Sequence, residues 1–290
     1  SFLDNIIICK DDVTDGSVTI ENNIVSNALG CGLYIEQQGL SGIIVENNNI
    51  INNTESGILI SGHGNGLFSV LKNNISDSGS YPIKIVLNEI KSSAVFNGIQ
   101  SNTFTGNNIS DYIMITGDVN EDLTLSEGIY IFENIIVSED KIFTILPGTV
   151  LLGYGRSGTI SVYGKLIAEG TEEKPIIFSS KEDTQYGGKG VYHNRDGWGS
   201  ILVGIEGELR GNYLQMNYSG YYDYILTSMS YSEYYYDGAI ISYGQLYLVN
   251  SLIQKSFQSG VVVYGYNNIT IQNTIIDGAS EGIKIGSSFD

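Results

Sequence analysis

Proline is nearly missing from this chain, with three in 290 residues, and cysteine and histidine number two each and tryptophan one. Two thiols, Cys9 and Cys31, are too few for a disulfide framework, although a single bridge between them stays open. Cations are scarce too: 14 Lys and Arg stand against 32 Asp and Glu, for a formal net charge of -18. A phosphate backbone would meet repulsion here instead of a basic footprint, so no nucleic-acid partner is expected. No apolar run approaches the roughly 18 residues of a membrane-spanning helix, so no membrane insertion is expected. The start, Ser1-Phe2-Leu3-Asp4, has no basic segment followed by an apolar one, so it does not read as a signal peptide. It reads as a cut inside a larger protein, whose neighbouring domains are expected partners. Charged residues make up only 16% against 42% hydrophobic, a balance that argues against disorder.

What is present is strand and turn chemistry. The chain holds 42 Ile, 26 Asn, 36 Gly and 21 Tyr. β-Branched and aromatic residues fit pleated surfaces, while Asn and Gly fit tight bends. These residues also repeat. Val18-Thr-Ile-Glu-Asn-Asn-Ile24 recurs as Ile44-Val-Glu-Asn-Asn-Asn-Ile50 and Ser69-Val-Leu-Lys-Asn-Asn-Ile75, and more loosely as Ile99-Gln-Ser-Asn-Thr-Phe104. Ile24, Ile50, Ile75 and Phe104 align, at intervals of 26, 25 and 29 residues. Between them lie the short strands Gly32-Leu-Tyr-Ile35, Gly57-Ile-Leu-Ile60 and Pro82-Ile-Lys-Ile85. The same grammar returns in Leu248-Val-Asn-Ser-Leu252 and Ile271-Gln-Asn-Thr-Ile275. No segment shows a sustained helical period with caps.

Strands this short cannot bury a face alone, but they can stack on their equivalents one repeat away, about 4.8 Å distant. Ile then stacks on Ile internally, and Asn on Asn at the bends, where side-chain amides bond to one another and to bend backbone. The pattern resembles the right-handed parallel β-helix repeat proteins of the pectin-lyase-like superfamily. That resemblance implies an all-β solenoid of roughly eleven coils of about 25 residues, with handedness taken from the family and from the rule for parallel crossovers. The expected organisation is one domain over 1–290: Asn-rich coils at 1–118, variant coils at 119–204, and coils with a Tyr-rich insertion of 218–238 at 205–290. A split near residue 119 is the alternative. In the variant part, Pro147-Gly148 signals a type II turn, and Gly164 and Gly170 mark further bends.

Fold alone does not settle function. The lyases of the superfamily hold calcium on an acidic cluster beside a basic residue. The candidates here are Asp11, Asp12 and Asp15, with only Arg156, Arg195 and Arg210 in the whole chain. Its hydrolases carry acidic pairs and a Gly-His-Gly motif on consecutive coils. Gly62-His63-Gly64 follows Asp12 by two coils instead of one, which fits a Gly-rich turn better. The polar excursion 181–200, with Glu182, Asp183 and His193, could take calcium but lacks regular ligand spacing. No cofactor is therefore assigned, calcium being the open possibility. The variant part resembles a module common in secreted bacterial β-helix and surface proteins, and that resemblance implies that Trp198 packs the coil.

The strongest local signal is aromatic. Tyr218, Tyr221, Tyr222, Tyr224, Tyr231, Tyr234, Tyr235 and Tyr236 crowd one insertion, and Tyr243 and Tyr247 follow on the next coil. Tyr pairs a flat apolar ring with a hydroxyl at low entropic cost, which suits stacking on sugar rings. The expectation is a non-catalytic, secreted or cell-surface carbohydrate-binding or adhesive domain for a neutral, cellulose-like polysaccharide. A looser likeness to the cellulose-binding tapirins points the same way. The alternatives are a polysaccharide lyase or glycoside hydrolase, and a structural repeat region of a surface-layer or spike protein.

Overall fold

The structure, a computed structural model, describes residues 4–9, 16–36, 42–62, 67–191, 196–220, 238–264 and 268–286. Among them every helical segment is a 3-10 turn of three or four residues, and the rest of the regular structure is short β-strand. All strand pairs with assigned register are parallel, so each strand lies beside the equivalent strand of another repeat. The chain forms two compact units, Ser1–Tyr130 and Ile131–Asp290.

In the first unit, Leu33–Glu36, Ile58–Gly62 and Ile83–Val86 stack with Leu33, Ile58 and Ile83 in register. Alternate residues decide the core: Leu33, Ile35, Ile58, Ile60, Ile83 and Ile85 are fully buried, while Tyr34, Leu59 and Lys84 face outward. A side chain of that size contributes roughly 1.5–3 kcal/mol when fully buried. Ser17–Glu21, Gly42–Glu46 and Leu67–Leu71 form a second sheet. Ile24–Ser26, Asn49–Ile51, Asn74–Ser76 and Thr103–Thr105 form a third.

The third sheet corrects one alignment read from the repeats. Val25, not Ile24, stacks on Ile50, Ile75 and Phe104. Ile24 pairs with Asn49 and is 76% exposed. The run Asn47-Asn48-Asn49 admits two alignments with Asn22-Asn23, and burial of the alternate residue selects between them.

Asparagine holds the bends in two ways. At Asn22, Asn47 and Lys72, and five residues on at Asn27, Asn52 and Asp77, φ lies between 54° and 61°. Asn and Asp tolerate this left-handed conformation better than other side-chain-bearing residues, so a turn can recur there on every repeat. Asn23, Asn48, Asn73 and Asn102 instead form a ladder in which each amide Nδ2 donates to the next Oδ1, at 3.1, 3.0 and 2.9 Å. The same amides close backbone carbonyls: Asn48 on Ile20, Asn73 on Val45, and Asn102 on Val70. Cys31 is a buried free thiol, pushed up to about 12 chiefly by desolvation.

The second unit stacks three rows. Val150–Gly153, Ile176–Ser180, Leu214–Asn217, Leu252–Gln254 and Ile275–Asp277 make one. Ile160–Val162, Ile201–Val203, Gly238–Ser242, Ser259–Tyr264 and Ile283–Gly286 make another. Ile142–Ile145, Lys165–Glu169, Glu208–Asn212, Gln245–Val249 and Ile269–Gln272 make the last. The two long excursions do not disturb this register, because Lys165 pairs with Glu208, and Glu208 with Gln245, across them. Trp198 is fully buried, 5.6 Å from the Phe132 ring and 5.9 Å from Phe178, with its indole N–H donating to the Asn217 carbonyl at 2.7 Å. Gly148 has φ of 83°, as the expected turn at Pro147 requires.

Candidate functional site

One bend of the second unit recurs wherever the Ile160–Val162 row passes into the Lys165–Glu169 row. Val162, Val203, Ser242 and Val263 are in register. The next residues, Tyr163, Gly204, Tyr243 and Tyr264, therefore form a rank across successive repeats. Backbone crowds this bend. A Cβ on Gly207 would lie 2.1 Å from the Val162 carbonyl oxygen, and one on Gly244 would lie 2.2 Å from that of Gly204. Gly244→Ala is therefore expected to destabilise the second unit by about 2 kcal/mol or more through forced backbone movement. Denaturant unfolding would check this, with Gly187→Ala as the comparison. A Cβ there meets nothing within 4 Å, and only its positive φ resists.

Aromatic and apolar side chains project from the bend. Tyr243 and Tyr264 stack with ring centroids 5.0 Å apart at 18°. Tyr163 is 45% exposed and leans over Gly204, its ring edge 2.8 Å from where a Cβ would stand. Ile205 is 71% exposed beside it. Tyr163, Tyr243, Leu202 and Ile205 wall a cavity of about 400 Å³, rimmed by Glu139 and Glu206. A second cavity of about 440 Å³ shares Glu139, Tyr163 and Glu206 but is polar, adding Asp140, Lys141, Lys165, Glu208 and Gln245. Both volumes suit a small-ligand site, and the pair forms a groove with an apolar half and a hydrogen-bonding half.

The polar half is partly locked by charge. Lys165 Nζ lies 3.0 Å from Glu208 Oε2, and the Arg210 guanidinium bonds the other oxygen. Burial would raise Glu208, but the hydrogen bonds and charges of Arg210 and Lys165 outweigh it and hold the carboxyl low. Arg210 also lies over the Tyr247 ring, 5.3 Å from its centroid.

The expected site residues fare differently. Tyr243 lines the groove. Tyr247 stands apart, on the outer face of Gln245–Val249 against Arg210. Tyr218 is in the left-handed conformation, φ 58°, and its hydroxyl accepts from Lys255 Nζ at 2.9 Å, a bond that holds the Lys255 ammonium above its ordinary value. Tyr221, Tyr222, Tyr224, Tyr231, Tyr234, Tyr235 and Tyr236 lie outside the described residues, as do Asp11, Asp12, Asp15, His63 and His193. In the polar excursion, Asp183 accepts from Ser179 Oγ at 2.6 Å and Gln185 N at 3.0 Å, and Glu182 pairs with Lys181 at 2.5 Å. Those carboxylates are engaged in holding the loop itself. No group of three or more potential metal ligands comes together among the described residues.

Tyr163, Leu202, Ile205, Glu139 and Glu206 went unrecognised in the sequence. The signal available was the dipeptide Tyr-Gly at 163–164 and again at 243–244, each followed by a polar residue and Leu. No protein-family model, curated protein or solved structure matches this chain.

Proposed function

We propose that the chain is a right-handed parallel β-helix of the pectin-lyase-like kind, of roughly eleven coils. In this reading it serves as a non-catalytic carbohydrate-binding or adhesive domain at the cell surface or outside the cell. The groove at Tyr163 takes a segment of polysaccharide: one sugar lays its C–H face on Tyr163, Leu202 and Ile205, and the next finds hydrogen-bond partners in the polar half. Parallel stacking in register, with repeats near 25 residues, supports the β-helix reading. The pairing of an exposed aromatic wall with an adjoining polar cavity carries the functional one. Paired strands flank the bend that carries Tyr163 on both sides, so little ordering is required on binding.

Isothermal titration with cello-oligosaccharides tests the reading. Tyr163→Ala is expected to weaken binding at least tenfold, about 1.4 kcal/mol, while leaving the unfolding midpoint unchanged because the ring is half exposed. Equal affinity in the variant, or no binding by the parent protein, contradicts it. A second reading is favoured by one observation, that two carboxylates, Glu139 and Glu206, rim the same groove. A glycoside hydrolase uses such a pair. Release of reducing ends from soluble glucans, abolished by Glu206→Gln, would support that enzyme in place of a binding domain.

A further inference from the structure

The charge of the groove narrows the sugar it takes, an inference that rests on the glycan reading. Tyr163, Glu139 and Glu206 belong to both halves, so any ligand spanning the groove meets all three. Their surroundings differ from those of the neighbouring acid. Glu208 is neutralised by Lys165 and Arg210. Glu139 and Glu206 are both exposed, and neither makes an ion pair or hydrogen bond with a described residue. The Tyr163 ring that lines the same two cavities is 45% open to solvent. A ring face attracts an ammonium group through its quadrupole, and a carboxylate adds a charge-assisted hydrogen bond. The flat apolar wall of Leu202 and Ile205 at the same place suits a pyranose ring better than an extended amine.

We infer that the groove prefers a glycan unit bearing a free amino group, a hexosamine, over the neutral or N-acetylated unit of the same shape. It discriminates against uronates, whose carboxylates would face Glu139, Glu206 and the net charge of -18. The amine lies over Tyr163 between the two carboxylates, and the hydroxyls of the adjoining unit reach Lys165 and Gln245.

Titration calorimetry at fixed ionic strength with four disaccharides tests this: the dimer of glucosamine, its di-N-acetylated form, cellobiose and digalacturonate. The glucosamine dimer is expected to bind about tenfold more tightly than cellobiose or the acetylated dimer, and digalacturonate more weakly than any. Glu139→Gln with Glu206→Gln should erase the amine's advantage over cellobiose, the two sugars then binding within about twofold of each other. Glu172→Gln with Glu173→Gln removes the same charge from an exposed turn elsewhere and should change nothing. Unchanged unfolding midpoints would show that both double variants fold. Equal loss in the two double variants overturns the inference, because diffuse charge then accounts for the preference. Cellobiose binding with no gain from the amine overturns it while leaving the glycan reading intact. Failure of both sugars to bind overturns both.

Discussion

Replacing Asn73 with Ala is expected to destabilise the first unit by about 3–5 kcal/mol. Asn73 is 1% exposed and stands inside the amide ladder. Its Nδ2 donates to the Val45 carbonyl at 2.8 Å and to Asn102 Oδ1 at 2.9 Å. Its Oδ1 accepts from Asn48 N at 2.9 Å and from Asn48 Nδ2 at 3.0 Å. Alanine removes all four bonds and leaves the Asn48 N–H and the Val45 carbonyl buried without this partner. A buried polar group left so costs about 1–3 kcal/mol, and two are orphaned. Asn74 is the internal comparison. It is exposed, and its side chain makes one bond, to Asn49 Oδ1 at 2.9 Å. Asn74→Ala should cost about 0.5 kcal/mol or less. Urea denaturation of the three proteins measures both effects as shifts of midpoint. An Asn73 variant within 1 kcal/mol of the parent would mean that the ladder is ornamental.

Trp198→Ala is the second large effect, expected to cost the second unit about 3–5 kcal/mol. The indole is fully buried between Phe132 and Phe178, and the Phe132 ring also meets Phe178 edge-on at 6.3 Å. The backbone comes so close that a Cβ on Gly153 would lie 2.3 Å from the Trp198 Cβ, which limits how far the site can collapse around a void. Trp198→Phe keeps most of the apolar volume but strands the Asn217 carbonyl that the indole N–H satisfies, so about 1–3 kcal/mol is expected there. Calorimetric unfolding is the suitable measurement, because both variants remove the only Trp fluorophore. Equal stability of the alanine variant would show that the indole is not a packing element.

These two residues also show what can be read without coordinates. The Asn ladder was legible because the same residue types recur at nearly constant intervals, and bend backbone in need of partners explains a recurring amide in a β-rich repeat. Trp198 was legible through the resemblance, since in the module that the variant coils resemble this position packs the coil. Ile24 was misaligned because three consecutive Asn permit two registers, and only burial of Val25 decides. The groove was hidden for a different reason. Tyr163, Leu202 and Tyr243 are brought together by stacking across two excursions that stretch the repeat from 25 residues (Val137 to Val162) to 41 (Val162 to Val203) and 39 (Val203 to Ser242), so the shorter interval does not relate them. Tyr is crowded in 218–236 of the sequence, while the aromatic wall of the groove is built from single residues on separate repeats.

The most direct measurement of the central claim is a crystal structure of the protein with a cello-oligosaccharide bound. The account predicts a pyranose ring stacked on Tyr163, bounded by Leu202 and Ile205, with its neighbour reaching toward Glu206 and Gln245. A sugar bound elsewhere with this groove empty, or no sugar bound at saturating concentration, would contradict it.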